Sequence, residues 1–161
     1  MLFRSHADVV QLLLDLPLER GVDPAAFDNY AFRWAAKMGH MDVVQLLLDL
    51  PLERGVDLAA DDNYAFRWAA KNGHTAIVQL LLDLPLERGV DPAAKDNYAF
   101  RYVARNGRTD VVKLLLNLFP DRRPSRAVVQ NALSVPLCST MSVLLAEHLA
   151  ETEEALKRRK P

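Results

Sequence analysis

The chain has 161 residues, half of them apolar and a quarter charged, with a formal net charge of -1. That balance fits an ordinary folded protein, is not the signature of a disordered chain, and removes whole-molecule attraction to nucleic acid or acidic membranes. A single cysteine, Cys138, makes no intrachain disulfide, and no apolar run approaches the roughly 20 residues of a membrane span, so a soluble cytoplasmic protein is expected; an effector exported into a host cytosol without a signal would look the same.

The N-terminal segment enters in the middle of a pattern. Ser5-His6-Ala7-Asp8-Val9-Val10 aligns with Gly39-His40-Met41-Asp42-Val43-Val44. Residues 1–27 therefore read as half a repeat, an outer helix without its inner partner, with Leu12, Leu13 and Leu14 uncovered on one side. Such an end belongs either to a fragment of a longer array or to a cap, and self-association through it is a live expectation.

Three 34-residue blocks follow, in register at Ala31, Ala65 and Ala99. A fixed period of this length marks stacked supersecondary units, each completed by its neighbours. In the block from Asp28 to Asp61, Asp28-Asn29 stands where a short polar side chain accepts from the first free helical N–H groups. Tyr30 to Met38 then forms an inner helix buried on most sides. Gly39 supplies a left-handed stop, and Met41 to Leu50 forms an outer helix. Val43, Val44, Leu46, Leu47 and Leu48 turn inward there, and Asp42, Gln45 and Asp49 face water. Pro51 and Gly55 bracket a short helical turn, after which Asp57-Leu58-Ala59-Ala60 leads to the next inner helix; Pro24 and Pro92 stand at the second place of that tetrad in the sister copies. Trp34, Trp68 and Tyr102 are expected to fill the gaps between repeats.

The phrase A-A-x-x-G-H-x-x-V-V-x-L-L-L followed by G-x-D, carried by Ala35-Ala36, Gly39-His40, Val43-Val44, Leu46 to Leu48, Gly55 and Asp57 and recurring from Ala69 to Asp91, resembles the ankyrin repeat. The tetratricopeptide repeat shares the period, but its Trp, Leu-Gly and Tyr spacing is absent. The resemblance implies an all-α helix-turn-helix repeat solenoid that binds another protein on its concave, inner-helix face. The segment before the inner helix is about three residues short of the family pattern and the Leu-Pro-Leu-Glu-Arg insertion adds about four, so the projecting hairpin finger is expected to be reduced or lost.

The array is expected to span residues 1–119, with residues 120–161 forming a degenerate repeat and helical cap. Ser125 caps a helix through about Ser134, and Pro136 breaks it. A longer amphipathic helix follows, with Met141, Leu144, Leu145, Leu149 and Leu156 inward and Glu153 and Glu154 four residues ahead of Lys157 and Arg158.

Cations recur on every inner helix: Arg33 and Lys37, Arg67 and Lys71, Arg101 and Arg105. Two readings stand. The ladder grips an acidic partner protein, or each arginine pairs with a carboxylate of its own or the adjacent repeat; the second is favoured because cations on buried helices tend to be paired. The copies disagree at Phe27, Asp61 and Lys95, and again at Met38, Asn72 and Asn106, and at Met41, Thr75 and Thr109. Drift on a tolerant surface is the simplest account; a recognition surface, if present, lies at Phe27, Met38, Asp61, Asn72 and Lys95 together with the basic ladder. His40 and His74 have no metal-ligand spacing and read as turn-capping residues. No phosphate loop, nucleophile elbow or activated cysteine is present, so neither catalysis nor a cofactor or metal is expected. Nothing favours nucleic acid, and the runner-up role is a structural or self-associating scaffold.

Overall fold

The computed structural model describes residues 6–16, 22–51, 54–85, 88, 90–118, 124–134 and 137–158. Among them are nine α-helices and no strand: α1 (His6–Leu14), α2 (Ala26–Met38), α3 (Met41–Leu48), α4 (Ala60–Asn72), α5 (Thr75–Asp83), α6 (Ala94–Arg105), α7 (Thr109–Leu116), α8 (Arg126–Leu133) and α9 (Ser139–Arg158). The fold class is all-α and built on helix-turn-helix repeats. The chain divides into two compact units, Met1–Val90 and Asp91–Pro161.

In the first unit, inner helices α2 and α4 lie side by side, each backed by its outer helix, α3 or α5, while α1 packs on α3. The core follows the repeat pattern. Phe32 and Phe66 are sealed from solvent together with Val44, Leu47, Ile77, Val78 and Leu81. Each such side chain contributes about 2–3 kcal/mol by leaving water. The outer faces are wet, and the same short pair recurs from α1, α3 and α5: Gln11 donates to Asp15, Gln45 to Asp49 and Gln79 to Asp83, at 2.7, 2.9 and 2.7 Å. On α1, Leu14 is buried, whereas Val9, Leu12 and Leu13 are exposed.

The entry to each inner helix departs from the expected cap. Asp23, Asp57 and Asp91 each close an Asx turn, their Oδ1 accepting from the backbone N–H of Ala25, Ala59 and Ala93. Three consecutive residues then adopt left-handed backbone: Phe27-Asp28-Asn29, Asp61-Asp62-Asn63 and Lys95-Asp96-Asn97, with φ between 51° and 60°. Only after them does right-handed helix run from Tyr30, Tyr64 and Tyr98. For residues with a Cβ this conformation costs about 1–2 kcal/mol each, least for Asn and Asp, which is why the motif ends on Asp-Asn in every copy. The Asn29 side chain does not cap its own helix. Its buried Oδ1 accepts from the N–H of Asp57, one repeat on, at 2.8 Å.

The inner helix ends as expected at Gly39, Gly73 and Gly107, with φ of 82°, 79° and 68°. Arg54 and Arg88 close tight turns on the carbonyls of Pro51 and Pro85. Their guanidinium groups reach back to the ends of outer helices: Arg54 donates to the Leu14 carbonyl and Arg88 to that of Leu48. The arginine of the Leu-Pro-Leu-Glu-Arg insertion thus satisfies a carbonyl that the helix end leaves open.

The second unit repeats the inner–outer pair as α6 and α7, with α8 against α6 and α9 against α8. Ser125 caps α8 through Val128 N–H. Pro136 and the basic residues 159 and 160 fall outside the described residues. On α9, Met141 and Leu145 are fully buried and Leu144 and Leu149 half-buried, but Leu156 is 58% exposed, contrary to the inward place its spacing predicts. The reason is the length of α9, whose last turns outrun the short α8 beneath them. Glu154 pairs with Arg158 along the helix, whereas Glu153 meets Arg126 of α8.

Candidate functional site

The inner-helix arginines are held by backbone as much as by carboxylate. Arg67 is buried, and its Nε and Nη2 donate to the carbonyls of Asp62 and Asp61 at 2.7 and 2.8 Å. Arg33 donates to the Phe27 carbonyl at 3.2 Å and to the Asp61 carboxylate of the next repeat at 2.8 Å. In the second unit Arg101 donates to the Lys95 carbonyl at 3.3 Å. In every copy the guanidinium therefore closes over the left-handed turn six residues earlier. The arginine on the first right-handed turn of each inner helix thus reaches back to the carbonyl that opens its left-handed turn.

The lysines do something different. The ammonium of Lys37 lies 4.6 Å from the ring centre of Trp34 and 4.7 Å from that of Trp68, and Lys71 lies 3.8 Å from Trp68. Each tryptophan is stacked on a tyrosine four residues earlier: Tyr30 on Trp34 at 5.9 Å and Tyr64 on Trp68 at 5.4 Å; Tyr98 and Tyr102 make the same pair in the second unit. Arg33 stands over the Tyr64 ring at 5.2 Å. The result across α2 and α4 is a row of rings interleaved with cations. Each contact is attractive because the ring face is negative, worth about 0.5–1 kcal/mol where water has access. Trp34, placed by its pattern in an inter-repeat gap, is instead 43% exposed, whereas the phenylalanines two residues before Trp34 and Trp68 are fully buried. The tyrosines were missed as part of this surface; their i, i+4 spacing from the tryptophans is the signal that could have placed them there.

The variable positions separate into two kinds. Asn72 donates to the Lys37 carbonyl at 2.7 Å, and His74 Nε2 lies 3.0 Å from the same oxygen, so both residues hold repeats together. His74 thus serves the end of the preceding inner helix rather than its own turn. Asp61 anchors Arg33. By contrast Phe27, at 88%, and Met38, at 49%, are exposed, as are Lys95, Arg101 and Arg105 in the second unit.

That second unit also carries a cleft of about 600 Å³ between α7 and α9, with Lys113, Glu147, His148 and Glu151 on its walls. Among the described residues no helix is long and apolar enough to cross a membrane.

The family model described as Ankyrin repeats (3 copies) matches residues 2–96, more than half of the chain. No curated protein and no solved structure matches it. Ankyrin repeats are in general protein–protein interaction modules and typically non-enzymatic. The matched residues carry the helix-turn-helix units that recur every 34 residues and turn at glycine, and the chain belongs to the ankyrin repeat family.

Proposed function

We propose that the chain binds an acidic partner protein on the inner-helix face of its first unit, across α2 and α4. The observation that carries this reading is Lys37 set between the rings of Trp34 and Trp68, with Lys71 on the far side of the pair. A cation–π contact orients an ammonium without neutralising it, so Lys37 keeps its charge for a carboxylate while the rings offer flat apolar area beside it. Arg33 and Arg67 act in support, since each donates to the left-handed turn that opens its own helix. Phe27 and Met38 remain candidate contacts on exposed ground of the first unit; Lys95, Arg101 and Arg105, exposed on the second unit, are separate candidates.

An immobilised peptide array spanning acidic, neutral and basic sequences tests this with the wild-type chain and with Lys37→Glu/Lys71→Glu. Wild type is expected to retain acidic peptides carrying an aromatic or aliphatic residue, and the double variant to lose them by tenfold or more. Retention of the same peptides by both proteins would place binding elsewhere.

A further inference from the structure

We infer that α2 and the start of α3 form a self-complementary face through which two copies of this chain pair head to head. Repeat 1 differs from repeat 2 at three positions in one sense. Phe27 stands where Asp61 takes the Arg33 guanidinium, Met38 where Asn72 donates to the Lys37 carbonyl, and Met41 where repeat 2 has Thr75. The first two changes delete the polar groups by which α4 grips the helix in front of it. An identical repeat laid on α2 would bring its arginine to a phenylalanine and its helix-end carbonyl to a thioether. All three changes are to large apolar residues, and all three residues are exposed, Phe27 at 88%, Met38 at 49% and Met41 at 36%. Tyr30 at 54% and Trp34 at 43% complete the stripe, and Ala31 is exposed where Ala65 is buried.

The stripe reads the same from both ends in chemical terms. Antiparallel pairing about a two-fold axis at Trp34 sets Phe27 against Met41 of the partner subunit and Tyr30 against Met38 of the partner subunit, with the two Trp34 rings meeting on the axis. Each aromatic ring therefore meets a thioether, a favourable pairing, and the contact is isologous, as a closed dimer requires. The same register sets Asp28, an exposed carboxylate at the start of α2, against the exposed His40 of the partner subunit, and the antiparallel helix dipoles attract. Taking about 200 Å² for each large side chain, the exposed parts of the five residues add to about 500 Å² per chain, or about 1,000 Å² for the pair, the lower bound of a specific interface. The dimer is accordingly weak and concentration-dependent. Pairing would cover Trp34 and so compete with a peptide at Lys37; a monomeric variant can still be assayed for peptide binding, so the two readings fail separately.

Sedimentation velocity of the 161-residue chain from about 1 μM to about 1 mM tests the pairing. Wild type should pass from the 18.1 kDa monomer toward twice that mass. Phe27→Asp/Met38→Asn/Met41→Thr installs the residues of repeat 2, which the same backbone already carries; it should keep the helical signal and weaken association at least tenfold. Met38→Asn alone, at an exposed position, gives a second measurement with a loss of threefold or more. A wild-type chain that stays monomeric throughout, or variants that associate as wild type does, would overturn the inference.

Discussion

His74 sits with its Nε2 3.0 Å from the carbonyl oxygen of Lys37, thirty-seven residues earlier, and its ring lies directly over the turn at Gly39. One imidazole thereby satisfies an open helix-end carbonyl and packs one repeat onto the next. A Cβ on Gly39 would lie 2.6 Å from His74 Cε1, and φ there is 82°. Gly39→Ala must strain the backbone and displace the ring from its hydrogen bond, with an expected loss of about 2–4 kcal/mol. Gly107→Ala, whose Cβ would meet only Cys138 Sγ at 3.6 Å, should lose only the backbone share, about 1–2 kcal/mol. Urea unfolding of the two variants side by side checks the difference.

Arg67 and Arg101 occupy equivalent places with unequal burial. Arg67→Ala leaves the carbonyls of Asp61 and Asp62 without a buried cationic donor, and should cost about 2–3 kcal/mol. Arg101→Ala removes one longer bond at an exposed position and should cost under about 1 kcal/mol. Equal losses in chemical denaturation would contradict the assignment of Arg67 as the clamp of its turn.

Phe27 holds a left-handed backbone with its ring in water. Replacing it by Asn, which tolerates that conformation, relieves strain and sacrifices no packing within the chain. Phe27→Asn should therefore raise stability by about 0.5–1 kcal/mol. Thermal melting at low protein concentration reads this effect apart from any association.

Arg126 beside Glu153 holds that carboxyl below the usual glutamate range through a hydrogen bond and through its charge. A carboxylate whose pKa is lower in the folded chain contributes stability that is present above its unfolded pKa and disappears as pH falls through the folded value. The tie between α8 and α9 should therefore weaken on acidification below the ordinary glutamate range. Glu153→Gln should flatten that part of the pH dependence, as seen in hydrogen exchange of α8.

The sequence by itself determined the repeat length, because the words recur at a fixed spacing, and the inner and outer helices, the glycine stops and the Ser125 cap, because each of these depends on residues close together along the chain. Hydrophobic spacing and a φ that favours glycine are local properties. What neighbours do to a side chain is not, and there only the tertiary structure decided. Nothing in Asp-Asn distinguishes a helix cap from a left-handed turn until the Asn29 side chain finds Asp57 in the next repeat. Arg33 and Lys37 look alike in sequence and part company in space, one closing over the Phe27 carbonyl and the other lying between the Trp34 and Trp68 rings of two repeats. Trp34 and Trp68 share one motif, yet α4 has α2 alongside it while the corresponding stripe of α2 stays open to solvent. Burial depends on what stands on the other side, and a repeated word carries no record of its neighbour.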